Sequence, residues 1–555
     1  MGRHRVVSYF KSRMMANSFT RILDLNPKEV FMLKHFALIL LVVIGTVLFA
    51  VLPALANIVL WPAWVRSYNG PGNRVDEARA MAIDGSGNLV VVTGGSFGVP
   101  PTNYDCTTIM YDPTGAQLWT QRYNGPASGA DYGWAVTMDV PSNVYVAGYT
   151  WNGVNYDYLV IAYNPGGGLW WFATYDGPGS KDDFARDIFV DQAGFVYVTG
   201  YSQGGANYDY ATIKYAPGGA VVWVSRYAGL GGNDYADALT VDSAGMVYVT
   251  GYSAQFPTPP YNLDYATVVY DPAGAQVWVG RYNGPFNGDD KAHDIEIDLN
   301  AGWFYVTGEA YFSAPASPDY VTIKYQQGGD QLWVINYDGP AMSTDVARDL
   351  ELDRAGNIYL TGRSVGPGTA DDYASIKYNP AGVTLWVQRY NNPMPNQDDW
   401  GQALAIDDNS SEVYVTGWSN QLPGGNSDYV TLKYDLNSGL QISSNRHNGV
   451  GNGNDYVFDI VADNTGNFYV IGISTGAGTS EDYCTIKYIQ CLCGDANLDG
   501  IIDIGDLVHV INHVFYAGPL PLCDTDVNHD GVVDIGDIVF LTNYVFYNGP
   551  EPNCM

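Results

Sequence analysis

The sequence predicts a mainly β protein, an eight-bladed β-propeller of four-stranded blades followed by a small C-terminal α module. Three observations lead to this fold class. A unit of about 50 residues recurs along residues 60–490, four strand-like phrases recur in order within each unit, and the composition shifts abruptly after residue 490. A seven-bladed ring is the alternative.

The N-terminal region ends in an uncharged, almost wholly apolar run over residues 36–56, preceded by Lys34. A basic flank, an apolar run and a small-residue end at Ala54-Leu55-Ala56 predict a secretory signal that is cleaved after Ala56. An uncleaved membrane anchor is the alternative, since the run is long enough to cross a bilayer. Residues 1–56 are therefore predicted to be an extension and signal peptide, and the mature chain is expected outside a bacterial cell with no membrane attachment of its own.

The charge balance excludes nucleic acid as a partner. The chain has 58 Asp+Glu against 26 Lys+Arg, for a net charge of -32, whereas phosphate binding needs clustered bases. Charged residues make up only 15% of the chain, and 64 Gly and 44 Tyr indicate tight turns and aromatic strands instead.

Each repeated unit, within residues 57–490, contains a tryptophan strand and three further phrases. The phrases are an alternating stretch that ends on Asp, a V-T-G phrase and a D-Y-x-T-I-K-Y phrase, all bounded by Gly, Pro or Asn. Seven units have Tyr four residues after the Trp, and the eighth copy has decayed to Ser443 and His447. The seven tryptophans are Trp64, Trp119, Trp171, Trp223, Trp278, Trp333 and Trp386.

The order of the phrases predicts how the ring closes. Residues 64–68 form a fourth strand with no preceding three, and residues 456–488 supply three strands without a reliable fourth. Pairing the first strand with the last unit completes an eighth blade and leaves no open sheet edge.

The phrases Val198 to Ser202 and Asp209 to Tyr215 resemble the secreted bacterial β-propeller repeat called SBBP. The resemblance covers about 430 residues and implies the fold. It does not imply a function, because propellers serve in binding, adhesion and catalysis.

Three Asp positions recur in all eight units. We interpret them as turn residues that accept backbone N–H groups. The alternative is that one set forms a ring of carboxylates at the mouth of the central channel and attracts a cation. The three sets are Asp76, Asp131, Asp183, Asp234, Asp290, Asp345, Asp399 and Asp455; Asp84, Asp139, Asp191, Asp242, Asp298, Asp353, Asp407 and Asp463; and Asp105, Asp157, Asp209, Asp264, Asp319, Asp372, Asp428 and Asp482.

Residues 491–555 contain two acidic loops in the same register. Each has oxygen-bearing side chains at positions 1, 3, 5, 9 and 12 and Gly at position 6, as in an EF-hand calcium loop. A backbone carbonyl at position 7 would add a ligand, so two calcium ions are predicted. The predicted ligands are Asp495, Asn497, Asp499, Ile501, Asp503, Asp506, Asp526, Asn528, Asp530, Val532, Asp534 and Asp537.

Each loop is followed by an apolar stretch suited to a short helix, over residues 507–515 and 538–546. Loop and then helix, twice, with Asp at position 12, resembles the dockerin module of bacterial secreted proteins. The resemblance implies a cohesin-like or cell-surface protein as the partner. Positions 10 and 11, which are often Ser or Thr in the family, are Ile-Gly in both loops here, and this departure puts the partner in doubt.

Four of the six cysteines lie in this module. One disulfide from Cys491 or Cys493 to Cys523 or Cys554 is expected outside the cell, with connectivity left open. A zinc site is the weaker alternative.

Two function hypotheses remain. The first is a secreted, non-catalytic binding or adhesion protein whose propeller presents a ligand face, with carbohydrate as a candidate ligand. The alternative is a glycoside hydrolase or lyase acting on polysaccharide, for which Glu309 is a weak candidate that we interpret as a surface residue. The match of residues 94–98 to G-x-S-x-G is interpreted as structural, because Ser96 belongs to a repeated strand end and no helix follows it.

Overall fold

A computed structural model describes residues 58–99, 103–256, 262–313, 317–392, 397–420, 425–463, 465–498, 501–516, 518, 521–528, 532–547, 549–550 and 552. The signal peptide predicted over residues 1–56 lies outside this range. Two predicted calcium ligands, Asp499 and Asp530, also lie outside it, as does Cys554.

Four blades make up the first half of the ring. Blade 1 contains β2 (Asp76–Ile83), β3 (Val90–Phe97), β4 (Tyr104–Tyr111) and β5 (Gln117–Tyr123). Blade 2 contains β6 (Tyr132–Met138), β7 (Val144–Trp151), β8 (Tyr156–Tyr163) and β9 (Leu169–Tyr175). Blade 3 contains β10 (Asp183–Val190), β11 (Val196–Gln203), β12 (Tyr208–Tyr215) and β13 (Val221–Tyr227). Blade 4 contains β14 (Asp234–Val241), β15 (Val247–Ala254), β16 (Leu263–Tyr270) and β17 (Gln276–Tyr282).

The second half of the ring repeats the plan. Blade 5 contains β18 (Lys291–Asp298), β19 (Trp303–Ser313), β20 (Ser317–Gln326) and β21 (Gln331–Tyr337). Blade 6 contains β22 (Asp345–Leu352), β23 (Ile358–Val365), β24 (Asp371–Tyr378) and β25 (Thr384–Tyr390). Blade 7 contains β26 (Asp399–Asp407), β27 (Glu412–Asn420), β28 (Ser427–Asp435) and β29 (Gln441–His447). Blade 8 contains β30 (Tyr456–Ala462), β31 (Phe468–Thr475), β32 (Glu481–Leu492) and the N-terminal β1 (Ile58–Tyr68).

The ring is closed by the first strand of the chain. β1 pairs antiparallel with β32, so the N-terminal strand is the outermost strand of blade 8. The predicted eight-bladed ring, its four-stranded blades and its closing strand are therefore confirmed, and the seven-bladed alternative is wrong.

The blades are held to their neighbours by buried tyrosines of the D-Y phrase. Tyr210 is fully buried, and its hydroxyl donates to the Ala266 carbonyl of the next blade at 2.9 Å. Tyr320 repeats the contact to Ala374 at 3.0 Å. Burying an aromatic ring while its hydroxyl is satisfied stabilises the blade interface. In blade 1 the buried Cys106 stands in place of this tyrosine.

The repeated tryptophans have a structural role on the outer strands. The Trp119 indole N–H donates to the Pro165 carbonyl in the outer hairpin of the next blade at 3.0 Å. Gly167 in that hairpin has φ of 80°, and a Cβ there would lie 2.6 Å from the Trp119 ring. The turn thus needs glycine both for its backbone conformation and for the close approach of the indole.

The C-terminal module contains helices α1 (Ile504–Tyr516) and α2 (Ile535–Tyr547). Both helices begin three residues before the predicted apolar stretches. Leu507, Val510, Val527 and Leu541 form a small core between them. Cys491 at the end of β32 is joined by a disulfide to Cys523, and Trp61 of β1 packs against the pair.

The expected disulfide is thus confirmed, and it fastens the module to the closing blade. Since it uses both Cys491 and Cys523, these thiols cannot be zinc ligands, and the zinc alternative fails.

Candidate functional site

The three repeated Asp sets serve the architecture. Asp131 accepts backbone N–H groups from Gly125 at 2.6 Å and Trp151 at 3.2 Å. Asp191 accepts from Ala193 and Phe195 in its own hairpin, both at 2.9 Å. These bonds confirm the interpretation as turn residues for the first two sets.

In five blades the third set forms an ion pair with an arginine of the outer strand, a role that the sequence did not reveal. In blade 1 Arg122 Nη2 lies 2.7 Å from Asp105 Oδ2. The hypothesis of a cation-attracting carboxylate ring built from one of these sets is therefore wrong, since their carboxylates are bonded to their own turns and strands.

A different set of residues lines the central channel. The first strands of neighbouring blades contact one another all round the ring, so they surround the channel. Each first strand shifts register once where it pairs with the second strand, and one residue is left in the bulge. We call these eight residues the bulge ring: Arg79, Trp134, Arg186, Asp237, His293, Arg348, Gln402 and Phe458.

Members of the bulge ring touch across blade boundaries. The Arg186 guanidinium lies over the Trp134 ring, 4.0 Å from its centroid, and Arg79 lies over the Phe458 ring at 4.4 Å. His293 Nδ1 is 3.5 Å from Asp237 Oδ2. The channel therefore carries cationic, acidic and aromatic groups at one level.

Acidic side chains follow the bulge ring along the channel. Asp187 Oδ2 accepts the backbone N–H of Leu239 in the next blade at 2.7 Å, and Asp459 does the same with Met81 at 2.8 Å. Burial raises the pKa of Asp187 to about 7 and that of Asp459 to about 6. These carboxyl groups link neighbouring blades, and burial favours their protonated form more than in an exposed acid.

Two acidic pairs stand in blades 5 and 6 of the channel. Asp294 and Asp349 are hydrogen-bonded to each other, and burial raises the pKa of both. Burial, with the Asp294 charge adding to it, also raises the pKa of Glu296 to about 8. Burial and the charges of the neighbouring acids raise the pKa of Glu351 as well. Burial thus favours the protonated form of these carboxyl groups more than in an exposed acid.

An aromatic belt precedes the bulge ring, at the mouth where each first strand begins. In four blades the strand pairing sets an aromatic residue of the first strand opposite one of the second strand. Tyr201 and Tyr235 meet across a blade boundary with ring centroids 4.9 Å apart, and Trp400 stacks on Trp418 at 4.9 Å. The belt consists of Tyr132, Tyr149, Phe184, Tyr201, Tyr235, Tyr252, Trp400 and Trp418.

Blade 5 interrupts the belt with charged residues. Lys291 and Glu309 occupy the cross-strand pair that is aromatic in four other blades, and their charged atoms lie 3.4 Å apart. The pKa of the nearby Arg348 is lowered because of burial, although the Glu309 charge opposes this. Glu309, which we interpreted from the sequence as a surface residue, thus lies beside the channel mouth.

The serine of the G-x-S-x-G match is structural, as interpreted. Ser96 is buried at the end of β3, and its hydroxyl accepts from Arg122. Arg122 also lies against Asp105, so Ser96 belongs to the repeated arginine site and has no strand-to-helix turn behind it.

The described parts of the two acidic loops have the same hydrogen bonds. Asp506 Oδ2 accepts from Asp503 N at 2.8 Å and its Oδ1 from Asn497 N at 3.2 Å. Asp537 repeats this pattern with the N–H groups of Asp534 at 2.9 Å and Asn528 at 3.2 Å.

Each loop therefore bends round a fully buried carboxylate at the start of its helix. Carboxylate and amide oxygens fit calcium, and a buried acid beside further acids is a costly arrangement without a cation. Burial raises the pKa of Asp537, and the Asp526 charge adds to the rise.

Among the residues that the structure describes, no helix is long and apolar enough to cross a membrane. The apolar run over residues 36–56 does not belong to that part of the chain.

Fold and channel together define an eight-bladed β-propeller protein with a small C-terminal helical module. The sequence model of the SBBP β-propeller repeat matches residues 172–209, which run from β9 into β12. The chain thus carries a repeat of that type. No curated protein matches the sequence.

Solved structures share the propeller fold at low identity. A quinohemoprotein alcohol dehydrogenase of Pseudomonas putida is 12% identical over 78% of this chain and 76% of its own, with a TM-score of 0.44. Sqt1 of Chaetomium thermophilum bound to the N-terminus of ribosomal protein L10 is 11% identical over 75% of this chain and 98% of its own, with a TM-score of 0.46. The β-propeller domain of the Trilobed protease of Pyrococcus furiosus is 8% identical over 68% of this chain and 98% of its own, with a TM-score of 0.38. Enzymes and binding proteins both occur among them, so the comparison is informative for the fold alone.

Proposed function

We propose that the protein is a secreted, non-catalytic binding protein of a bacterium that holds a carbohydrate at the channel mouth. The observation that carries the proposal is the aromatic belt. Its members other than Tyr132 are half-buried, so each of these side chains is held by its neighbours and remains partly accessible to solvent. Rigid, partly exposed aromatic rings next to hydrogen-bonding groups are the combination that a sugar ring needs, because its C–H faces stack and its hydroxyl groups donate and accept.

The bulge ring supplies the polar groups. Arg186 Nη2 donates to the Tyr201 hydroxyl at 2.7 Å, so the guanidinium lies directly behind the belt. Asp237 and His293 lie at the same level of the channel. A ligand stacked on the belt would meet these side chains as donors and acceptors.

The C-terminal module is proposed to attach the propeller to a protein partner. Helices α1 and α2 expose apolar side chains at matching positions, among them Ile504 and Ile535 at 56% and 58%, and Tyr516 and Tyr547, each at 76%. Two calcium-stabilised loops would hold these faces in place. Repeated exposed apolar groups on a small module are typical of a docking surface for a cohesin-like or cell-surface protein.

Glycan-array binding by the mature chain tests the ligand. Tyr201→Ala and Trp418→Ala should each weaken binding of a retained glycan at least about tenfold, because truncating a central aromatic anchor costs more than about 1.4 kcal/mol. Trp170→Ala is the control, since Trp170 lies on the outer strand β9 and is 48% exposed. Equal loss in the control, or no retained glycan, would contradict the proposal.

A polysaccharide-degrading enzyme is the second candidate, favoured by the charged interruption in blade 5. Glu309, Lys291 and the Asp237–His293 pair offer an acid, a base and a cation beside an aromatic mouth. Our proposal predicts no release of reducing sugar from mixed polysaccharides. Release that is abolished by Glu309→Gln, with glycan binding retained, would establish the enzyme instead.

A further inference from the structure

Three blades lack the arginine that neutralises the third Asp set. In five blades the D-Y aspartate pairs with an arginine on the outer strand. These pairs are Arg122–Asp105, Arg226–Asp209, Arg281–Asp264, Arg389–Asp372 and Arg446–Asp428, at 2.7 to 3.0 Å. Blade 2 has Thr174 at the arginine position and blade 5 has Asn336, whose amide donates to Asp319 at 3.2 Å. Blade 8 has Ser67 there, and its Asp482 accepts from the Thr479 hydroxyl at 2.8 Å.

Two of these three, blades 2 and 5, gain an acid a short distance away. The residue after the last tyrosine of the outer strand is Asp176 in blade 2 and Asp338 in blade 5. The other blades have an uncharged residue there: Asn69, Asn124, Ala228, Asn283, Asn391 and Asn448. Loss of a cation and gain of an anion thus occur together twice in one chain. If these side chains only stabilised their turns, the loss of a cation in a blade would not be expected to coincide with the gain of an anion.

Each of the two blades consequently brings three carboxylates together. One oxygen each from Asp157, Asp176 and Asp183 lies within 4.8 Å of the others, and the same holds for Asp319, Asp338 and Asp345. Two oxygens bound to one calcium ion at about 2.3–2.6 Å are at most about 5 Å apart. We call these groups the blade 2 triad and the blade 5 triad.

Buried oxygens in the blade 5 triad point to a missing ligand. Asp345 is fully buried, and its Oδ1 has no hydrogen-bond partner among the described residues, as is also the case for Asp234 and Asp399 at this position in blades 4 and 7. Oδ1 of Asp338, the added acid, is buried and unpaired in the same part of the structure. A buried carboxylate oxygen without a donor is costly, and a cation is the group that satisfies several of them at once.

Burial raises the pKa of Asp345 to about 6, and the charges of Asp319 and Asp338 add to the rise. In the blade 2 triad Asp157 and Asp183 are buried whereas Asp176 is exposed, so solvent reaches that triad from one side.

We infer that each triad binds a calcium ion, at two propeller sites separate from the C-terminal loops. All the ligands are hard carboxylate oxygens, and the half-buried or exposed third acid leaves room for the waters that calcium also takes. In five of the other blades the arginine holds the D-Y aspartate in place. In blades 2 and 5 the ion replaces it.

Calcium stoichiometry of the full mature chain, measured by equilibrium dialysis, tests the inference. Asp176→Asn and Asp338→Asn should each lower the number of bound ions by one, and the double variant by two. Both changes install the residue that most other blades carry, so the fold is expected to survive. The C-terminal loops contribute equally to every sample, so the difference does not depend on them.

Matched variants keep the outcome clear. Asn124→Asp adds the acid to blade 1 while Arg122 remains, and should leave the stoichiometry unchanged. Thr174→Arg restores the pairing residue in blade 2, and should remove one ion without lowering the melting temperature measured in chelator. Unchanged stoichiometry in Asp176→Asn and Asp338→Asn, or a preference of these sites for magnesium at equal concentration, would overturn the inference.

Discussion

Chelation of calcium should unfold residues 491–555 while the propeller remains folded. Each acidic loop gathers four predicted carboxylate ligands, and their repulsion opposes loop closure unless an ion is bound. With a dissociation constant of about 10⁻⁴ M, two sites at about 1 mM calcium stabilise the module by about 3 kcal/mol. The small core around Leu507 and Leu541 offers little to replace that free energy.

Two local probes separate the module from the propeller. All 14 tryptophans lie between residues 61 and 418, so tryptophan fluorescence reports chiefly on the propeller, although Trp61 packs against the disulfide that joins the module. Hydrogen exchange of α1 and α2 reports on the module, and should rise at least about tenfold in chelator. Asp495→Asn combined with Asp526→Asn should reproduce this exchange in the presence of calcium. Helices that stay protected after chelation would refute calcium-dependent folding.

The ring could be predicted from the sequence because its signal is periodic. The Trp strand and the three phrases recur with turns at fixed places, and each phrase alternates with period two. Even the closing strand follows from simple order, since Trp64 stands in a fourth strand with no first three before it. Hairpin pairing within a blade is local, so little tertiary information was needed.

The channel could not be predicted in the same way. The bulge position is Arg79 in blade 1, Trp134 in blade 2 and Gln402 in blade 7, so a search for repeated residue types passes over it. The register shift that turns these side chains into one ring depends on pairing between strands, which the sequence does not display. Non-uniform residues in a uniform repeat are the signal that could have identified them.

The arginine partners of the D-Y aspartates were missed for a related reason. Arg122 follows Asp105 by 17 residues, and only the register of β4 against β5 brings them together. The sequence showed the acids as a repeated set, and turn chemistry was the nearest local explanation. Blades 2 and 5 become informative only when the pairing in the remaining blades is known.

The acids of the channel should make the propeller less stable as the pH rises from about 5 to about 8 in chelator. The pKa values of these acids are higher in the folded state than in the unfolded chain. Between the unfolded-state pKa and the folded-state pKa, the folded protein therefore binds more protons, and it loses stability as the pH rises and these groups ionise. The carboxyl groups that face one another are Asp187, Asp294, Glu296, Asp349, Glu351 and Asp459, with His293 at the level above them.

Removing one of these charges should reverse the loss. The pKa of Glu296 is raised by burial to about 8, and one pKa unit corresponds to about 1.4 kcal/mol. We expect Glu296→Gln to raise the free energy of unfolding at pH 8 by at least about 2 kcal/mol and to change it little at pH 5. Urea unfolding followed by tryptophan fluorescence measures both values. Asp330→Asn is the control, because Asp330 is an exposed acid in an outer hairpin. A wild-type propeller that becomes more stable between pH 5 and pH 8 would show that the channel carboxyl groups are ionised and compensated, contrary to this account.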